Sequence, residues 1–195
     1  MAVPSPSPSR KSDLREAMRQ RRRDYAGSLV PETRGALEDQ LAEVLDPLLF
    51  KATVVAGYFP MKEEVSTLPA LSRAAAMGKT TALPAFADRD SRMTFRAGDP
   101  VDPGPWGILQ PAGEAPTVSP DLVFIPLIAI DGAGNRIGMG KGHYDRALPG
   151  LRSAGATLVG VGWEFQLLEE PLDPDPWDVP LDAFASPGGL KEFRP

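Results

Sequence analysis

The feature that most constrains the fold of this chain is an alternation between short apolar segments and helix-like segments. Residues 53–59 (TVVAGYF) are β-branched and apolar and end at Pro60, which is typical of a buried strand. Further strands are predicted at residues 80–83, 93–95, 122–125, 157–163 and 182–186, and helices at residues 68–77 and 142–148. This order predicts a mainly parallel central sheet with helices on both faces, a three-layer α/β/α arrangement. Ligands are then expected in the loops after Phe59, Ile125 and Trp163, at the carboxyl ends of strands.

Two helices are predicted before the first strand. Ser12 is a suitable N-cap for a helix that runs to about Tyr25 and carries a stripe of basic side chains. The second helix is expected to begin at Pro31, since proline is favoured in a first turn, and to run toward Leu45 before Pro47.

The length and composition of the chain favour one domain. The chain has 195 residues, of which 42% are hydrophobic, and this suits one α/β core and is short for two. Residues 1–10 alternate proline and serine and are predicted to form a disordered tail, so that the domain covers residues 11–195. Residues 85–120 are rich in proline, glycine and aspartate and are interpreted as a surface excursion of this domain.

The composition excludes several kinds of site and partner. Cysteine is absent and His143 is the single histidine, which excludes disulfides, thiolate nucleophiles and multi-histidine zinc sites. The net charge of -5 argues against a nucleic-acid partner. No apolar run approaches the roughly 20 residues that span a bilayer, and the first residues lack the apolar core of a signal peptide. We therefore expect a soluble, cytoplasmic protein that binds neither nucleic acid nor membrane. We also expect a monomer that acts on small molecules.

Charge is unevenly distributed along the chain. From residue 10 to residue 34 basic residues outnumber acidic ones by eight to four, whereas from residue 164 to the end acidic residues outnumber basic ones by eight to two. This distribution allows a cleft in which phosphate-binding cations lie beside metal-binding carboxylates, but on charge alone two separate solvated faces are the simpler interpretation.

The most informative segment is DGAGNRIGMGKGHYD, residues 131–145, which follows an apolar strand and leads into a helix. Its alternating glycines let the backbone approach a ligand and turn amide N–H groups toward an anion, and the helix amino terminus adds a favourable dipole. Arg136 and Lys141 supply cations for phosphate oxygens, and Asp145 supplies a carboxylate that can hold Mg²⁺. The segment matches neither GxxxxGK[ST] nor GxGxxG, yet its composition predicts a phosphate-binding loop.

Several segments, in order along the chain, resemble the 5-formyltetrahydrofolate cyclo-ligase family. NRIGMGKGHYDRAL, residues 135–148, is similar to the family pattern NRLGxGxGYYDRxL. The other matching segments are K-x-x-x-R (residues 11–15), GYFPMKEEVST (57–67), WGILQP (106–111), DLVFIPLIAID (121–131) and PWDVPLDAFAS (176–186). The resemblance implies an enzyme that cyclises 5-formyltetrahydrofolate to 5,10-methenyltetrahydrofolate with ATP, by phosphorylating the formyl oxygen, and that releases ADP and phosphate.

The resemblance also implies roles for individual residues. The residues implied to bind ATP are Lys11, Arg15, Arg136, Ile137, Gly138, Met139, Gly140, Lys141, Gly142, His143 and Tyr144. Those implied to bind the folate are Phe59, Glu64, Met139, Gly140, Lys141, Gly142 and His143. Lys141 and Arg136 are implied to be catalytic, and Asp145 and Asp178 to hold Mg²⁺. Glu64 would accept hydrogen bonds from the pterin, and Phe59 would form an apolar wall.

Three positions depart from the family pattern. His143 stands where tyrosine or phenylalanine is usual, Met139 where arginine or another polar residue is common, and Trp177 where histidine is common. A histidine can still stack on a flat ring, and it can also titrate near neutral pH.

Two other functions stay open at this point. A sugar-phosphate isomerase or a CoA-transferase relative would also bind phosphate at a glycine-rich strand end, but it would need neither ATP nor Mg²⁺. A non-catalytic relative that binds folate or nucleotide would keep the fold and lose turnover.

Overall fold

The computed structural model describes residues 8–89, 91–105 and 107–193, and it opens with two helices. Helix α1 spans Pro8–Ser28 and begins before the predicted Ser12 cap. Residues 8–10 therefore belong to a helix rather than to the predicted disordered tail, and residues 1–7 of that tail lie outside the described residues.

Helix α2 spans Pro31–Leu49 and continues through Pro47, so the predicted end near Leu45 is wrong. Proline inside a helix removes a hydrogen-bond donor and crowds the preceding turn. Leu49 is nevertheless fully buried in the core. Its burial, worth roughly 1.5–3 kcal/mol, offsets much of this cost.

The next six elements include most of the predicted surface excursion. They are β1 (Val54–Ala56), α3 (Leu68–Ala76), β2 (Thr80–Ala85), β3 (Thr94–Ala97) and the hairpin of β4 (Pro100–Pro103) and β5 (Leu109–Pro111). Strand β2 passes through Pro84, where the sequence predicted its end. Its pairing with β1 stops at Ala82, so no N–H of Pro84 is needed on that side, and Pro84 pairs only with Phe95 of β3.

The second half of the chain completes the sheet and carries the glycine-rich segment. Its elements are β6 (Leu122–Pro126), β7 (Ala129–Ile130), β8 (Arg136–Ile137), α4 (His143–Ser153), β9 (Thr157–Val161), a 3₁₀ turn (Glu164–Gln166), β10 (Ala183–Ser186) and β11 (Gly189–Glu192). Helix α4 runs through Pro149 to Ser153, beyond its predicted end near Leu148, and β11 was not predicted.

The central sheet has seven strands in the order β11-β10-β9-β6-β1-β2-β3. The five inner strands are parallel, and the two edge strands, β3 and β11, are antiparallel to their neighbours. From β1 the chain goes first to β2 on one side and later to β6 on the other. The crevice between the carboxyl ends of β1 and β6 is therefore a topological switch point, where ligands bind in such sheets.

Side chains alternate between two layers of core along the inner strands. Val55 and Phe124 pack with residues of α2 and α3, whereas Ala56 and Ile125 pack on the opposite face with Leu148 of α4. Helices thus cover both faces of a mainly parallel sheet. The predicted three-layer α/β/α single domain is confirmed.

The β4–β5 hairpin is attached to the end of β2 by one side chain. Gln110 accepts a hydrogen bond from the Phe86 N–H at 3.0 Å and donates one to the Phe86 carbonyl at 3.1 Å. Trp106, which lies between β4 and β5 in the sequence, is outside the described residues. Within the described part of the chain, no helix combines the length and apolar character needed to cross a membrane.

Candidate active site

A cavity of about 780 Å³ opens at the switch point of the sheet. Its walls come from the segment after β1, the ends of β2 and β6, the β4–β5 hairpin and the glycine-rich loop. Two of the three predicted loops, those after Phe59 and Ile125, thus contribute to it. Among the described residues, none after Trp163 lines the cavity, so the third predicted loop does not contribute.

The glycine-rich loop joins the β7–β8 hairpin to α4. Gly140 and Gly142 have φ values of +83° and +70°, which residues with a side chain rarely adopt. Gly142 is also the N-cap of α4, and no side chain of the described residues caps this helix end. Backbone N–H groups at the beginning of α4 are therefore left for a ligand or water.

Residues 138–145 all line the cavity, as Arg136 does. Ile137, in contrast, is 3% exposed and packs with Met18 and Ile128 in a separate core cluster. Strand pairing between β7 and β8 turns its side chain inward, so it does not line the cavity.

Arg136 and Asp145 form an ion pair across the beginning of α4. The Arg136 side chain is 8% exposed, whereas the Asp145 side chain is 47% exposed at the cavity. Among the described residues, the Nε–H of Arg136 has no hydrogen-bond acceptor. Lys141 is exposed on the same loop. The loop thus presents two cations and one carboxylate to the same space.

The basic stripe of α1 runs along the outside of the glycine-rich loop. Arg15 donates from Nε to the Gly138 carbonyl at 3.0 Å, and Arg19 lines the cavity. Lys11 lies 2.8 Å from Asp175 and 3.8 Å from Asp178. The basic beginning and the acidic end of the chain therefore meet beside the loop, and are not two separate solvated faces. Lys11, Arg15 and Asp178 do not line the cavity itself.

Glu64 is the buried carboxylate of the cavity, with only 5% of the residue exposed. Its Oε2 accepts a hydrogen bond from the Met61 N–H at 2.9 Å, within the turn after β1. Burial raises the pKa of Glu64, and the Met61 hydrogen bond and the Arg22 guanidinium oppose this rise. Phe59 of the same segment is half-buried and lines the cavity.

The ring of His143 lies edge-on to the ring of Phe86, with centroids 4.8 Å apart. Nδ1 of His143 lies 3.0 Å from Nη2 of Arg146. Burial, and after it the positive charges of Arg146 and Lys141, hold the pKa of His143 below its ordinary value. The lowered pKa favours the neutral imidazole, which suits an aromatic wall.

Tyr144 lines the cavity beside Glu64 and Arg136. Burial raises the pKa of Tyr144, the charge of Glu64 raises it further, and Arg136 lowers it. Among the described residues, its hydroxyl has no hydrogen-bond partner. A buried hydroxyl of this kind is available to a bound ligand.

Several residues of the site were not identified from the sequence. Arg22 is buried and lies 3.6 Å from Glu64, whereas the sequence indicated only that it belongs to the basic stripe of α1. Phe86 and Gln110 belong to the segment interpreted as a surface excursion, yet both line the cavity. They reach the cavity because that segment folds back over β2, and no local sequence pattern predicts this packing.

The described residues contain no cluster of three or more carboxylates or histidines that could hold a metal. Asp145 and Asp178 each interact with a cation, Arg136 and Lys11 respectively. Their oxygen donors still suit Mg²⁺, because this ion is commonly held by one or two carboxylates together with substrate phosphates and water.

Together, the fold and the cavity define an α/β protein that binds a small molecule at a switch point, between a buried acid and a glycine-rich loop with cations. A model of the 5-formyltetrahydrofolate cyclo-ligase family matches residues 7–187. The chain therefore belongs to the 5-formyltetrahydrofolate cyclo-ligase family, and it is a ligase. This membership decides against an isomerase or a CoA-transferase.

Individual relatives agree with this assignment. The 5-formyltetrahydrofolate cyclo-ligase of Escherichia coli is 29% identical over 186 residues, which cover 90% of this chain and 100% of that protein. The Haemophilus influenzae enzyme of the same name is 31% identical over 139 residues, covering 67% and 74% of the two chains. The structure of Aquifex aeolicus 5,10-methenyltetrahydrofolate synthetase superposes with a TM-score of 0.79 at 30% identity, covering 95% of this chain and 93% of that one.

Proposed function

We propose that this chain converts 5-formyltetrahydrofolate and ATP to 5,10-methenyltetrahydrofolate, ADP and phosphate. The observation that carries the proposal is that one cavity contains both the Glu64 carboxylate and the glycine-rich loop with Lys141. The Glu64 carboxylate can accept hydrogen bonds from the donors of a pterin. The loop, with its backbone amides and Lys141, can bind the oxygens of a triphosphate. The names of the relatives support the same reaction.

On the folate side, Glu64 accepts hydrogen bonds from the amino and ring N–H groups of the pterin. Its Oε2 already accepts from Met61, but an ionised carboxylate offers about four acceptor positions, so further donors can bind. Phe59, Met139 and His143 supply apolar and aromatic surface for the ring. Two wall residues absent from the sequence-based assignment, Phe86 and Gln110, line the same cavity, and the ring of Phe86 lies against that of His143.

On the nucleotide side, the amides of Gly138 and Gly140 and the beginning of α4 surround the triphosphate, with Lys141 and Arg136 as the catalytic cations. Lys11 and Arg15 add positive charge from α1, where Arg15 contacts the loop itself. Ile137 contributes no side chain to the cavity, so its role is confined to the backbone that holds Arg136 in place.

The chemistry requires activation of a poor leaving group. The formyl oxygen attacks the γ-phosphorus of ATP, the bond to the β–γ bridging oxygen breaks, and ADP leaves. The N10 amine then attacks the activated formyl carbon, loses its proton and expels phosphate, which closes the five-membered ring. Lys141 and Arg136 neutralise the negative charge that develops on the phosphoryl oxygens, and the cavity aligns the two substrates.

Mg²⁺ would be held by Asp145 and Asp178, directly or through water, and when bound it supplies positive charge against the phosphate oxygens. Both carboxylates are partly exposed, with side-chain exposures of 47% and 26%. Arg136 and Lys11, which now neutralise them, are then free to turn to the triphosphate. We also propose that the protein works as a monomer in the cytoplasm.

The proposal is tested by following the absorbance of the methenyl product with purified protein. Product should form only when 5-formyltetrahydrofolate, ATP and Mg²⁺ are all present, with one ADP released for each product molecule. A non-hydrolysable ATP analogue should give none, because the γ-phosphoryl group cannot transfer. Product without ATP would contradict the mechanism, and binding of both substrates without product would identify a non-catalytic relative.

A further inference from the structure

Arg22 is the buried cation of helix α1. Its neighbours Arg21 and Arg23 are exposed, whereas only 4% of Arg22 is accessible. Removing a guanidinium from water costs free energy unless the protein supplies acceptors and an opposite charge. The position of Arg22 therefore points to a specific partner in the interior.

Arg22 contacts residues of the cavity wall from the side that faces away from the cavity. Nη1 lies 3.6 Å from Oε1 of Glu64 and donates to the Leu127 carbonyl at 3.3 Å. Nη2 donates to Sδ of Met139 at 3.7 Å. Glu64 and Met139 line the cavity and Arg22 does not, so Arg22 supports two wall residues without reaching the ligand space.

The Glu64 carboxylate is held at both of its oxygens. Oε2 accepts the Met61 N–H at 2.9 Å, and Oε1 faces Arg22. Resting on the function proposed above, we propose that Arg22 is a positioning residue that fixes the Glu64 carboxylate in the cavity wall and thereby sets the affinity for the folate substrate. The same guanidinium, through Met139, ties this carboxylate to the glycine-rich loop.

The surroundings of Glu64 predict a pH signature. Arg22 approaches it from α1 and Tyr144 from α4, Tyr58 and Glu63 lie on its own segment, and Arg34 of α2 donates to its backbone carbonyl. Burial raises the pKa of Glu64 and Glu63 adds to the rise, while Arg22 lowers it. Loss of Arg22 therefore raises the pKa of this carboxyl further, and the ionised form is reached only at higher pH.

The experiment compares Arg22→Met and Arg22→Lys with Arg23→Met as the matched control. Arg23 is the next residue of the same helix and pairs with Glu16 at the exposed surface, at 3.0 Å. Equilibrium binding of 5-formyltetrahydrofolate and steady-state kinetics are measured for each variant between pH 5 and 8. A double-mutant cycle of Arg22→Met and Glu64→Gln by urea denaturation tests the pair in the absence of any ligand.

We expect Arg22→Met to weaken 5-formyltetrahydrofolate binding about tenfold or more, while the KM for ATP changes less than threefold. The acidic limb of kcat/KM for the folate should move to higher pH, and Arg22→Lys should restore part of both effects. Arg23→Met should match the wild type. The loss of stability in Arg22→Met should be much smaller when Glu64 is already glutamine.

Two results would overturn the inference: no coupling between Arg22 and Glu64 in the cycle, or wild-type folate affinity and an unmoved acidic limb in a folded Arg22→Met variant. Failure of the proposed function would give a different experimental result. In that case the wild type and Arg23→Met themselves form no product with ATP, whatever the cycle and the binding of 5-formyltetrahydrofolate show for Arg22.

Discussion

The ammonium of Lys11 lies 2.8 Å from Oδ2 of Asp175, and this contact joins the first helix to the acidic segment near the end of the chain. Asp178 lies 3.8 Å from the same ammonium. The side chains of Lys11 and Asp175 are 28% and 48% exposed, so water screens the pair and its contribution to stability is small. The pair matters for function because it brings charged side chains together beside the glycine-rich loop.

Substitution Lys11→Met should lower the affinity for ATP while leaving the protein folded. We expect the KM for ATP to rise about tenfold, because one cation facing the triphosphate is lost, and the free energy of unfolding to change by less than about 1 kcal/mol. Arg23→Met removes a comparable exposed pair elsewhere on α1 and should leave the KM unchanged. Equal effects of the two substitutions would show that only the overall charge of the helix matters.

Lys141→Ala and Asp145→Asn should each abolish most turnover. Removing a cation that stabilises charge at the transferring phosphoryl group costs about 10²–10³-fold in rate. Lys141 is exposed on the loop and Asp145 is exposed in the first turn of α4, so circular dichroism should show that both variants are folded. Lys51→Ala, which changes an exposed lysine of the turn after α2, is the control. Wild-type kinetics in both loop variants would mean that the site is wrongly assigned.

The single histidine makes the electrostatics of the cavity directly measurable. The imidazole of His143 gives one Hε1 resonance, and we expect its titration midpoint below 6.5, because burial and the charges of Arg146 and Lys141 lower the pKa. Arg146→Gln should raise the midpoint. In the unfolded chain the midpoint should return to the ordinary value, and a midpoint above 6.5 in the folded protein would contradict the cavity described here.

The same shift has a consequence for stability. Since the folded pKa of His143 is depressed, the unfolded chain binds more protons as the pH falls from 6.5 toward the folded pKa. The wild type should therefore lose stability over this range, and His143→Phe should lose less. Urea denaturation at several pH values measures the free energy of unfolding of both proteins, and the difference between them should stop changing with pH above pH 7.

Gly140 and Gly78 provide a matched pair of glycines with positive φ, +83° and +77°. Alanine at either position should cost about 1 kcal/mol of stability, because the left-handed conformation strains a residue that has a Cβ. Only Gly140→Ala should also impair turnover, since Gly78 lies at the end of α3, away from the cavity. Equal activity of the two variants would contradict a ligand role for the loop backbone.

Much of the fold was predictable because the local patterns are strong. The apolar segment around Val55 and the run at Phe124 predicted buried strands, and both lie in the parallel centre of the sheet. The ends of elements were less predictable at prolines. Pro47 and Pro149 both lie inside helices, and the packing of Leu49 and Leu151, which follow these prolines, against the core counteracts the local penalty of proline.

The sequence by itself determined the succession of strands and helices, the glycine-rich loop with Arg136 and Lys141, and the family resemblance, because these depend on neighbours along the chain. Tertiary structure alone decided that Arg22 is buried against Glu64, that Ile137 points into the core, and that Phe86 lines the cavity. The physical reason is that burial and ion pairing depend on which distant segments pack together. For Arg22 that partner lies 42 residues along the chain, in the turn after the first strand.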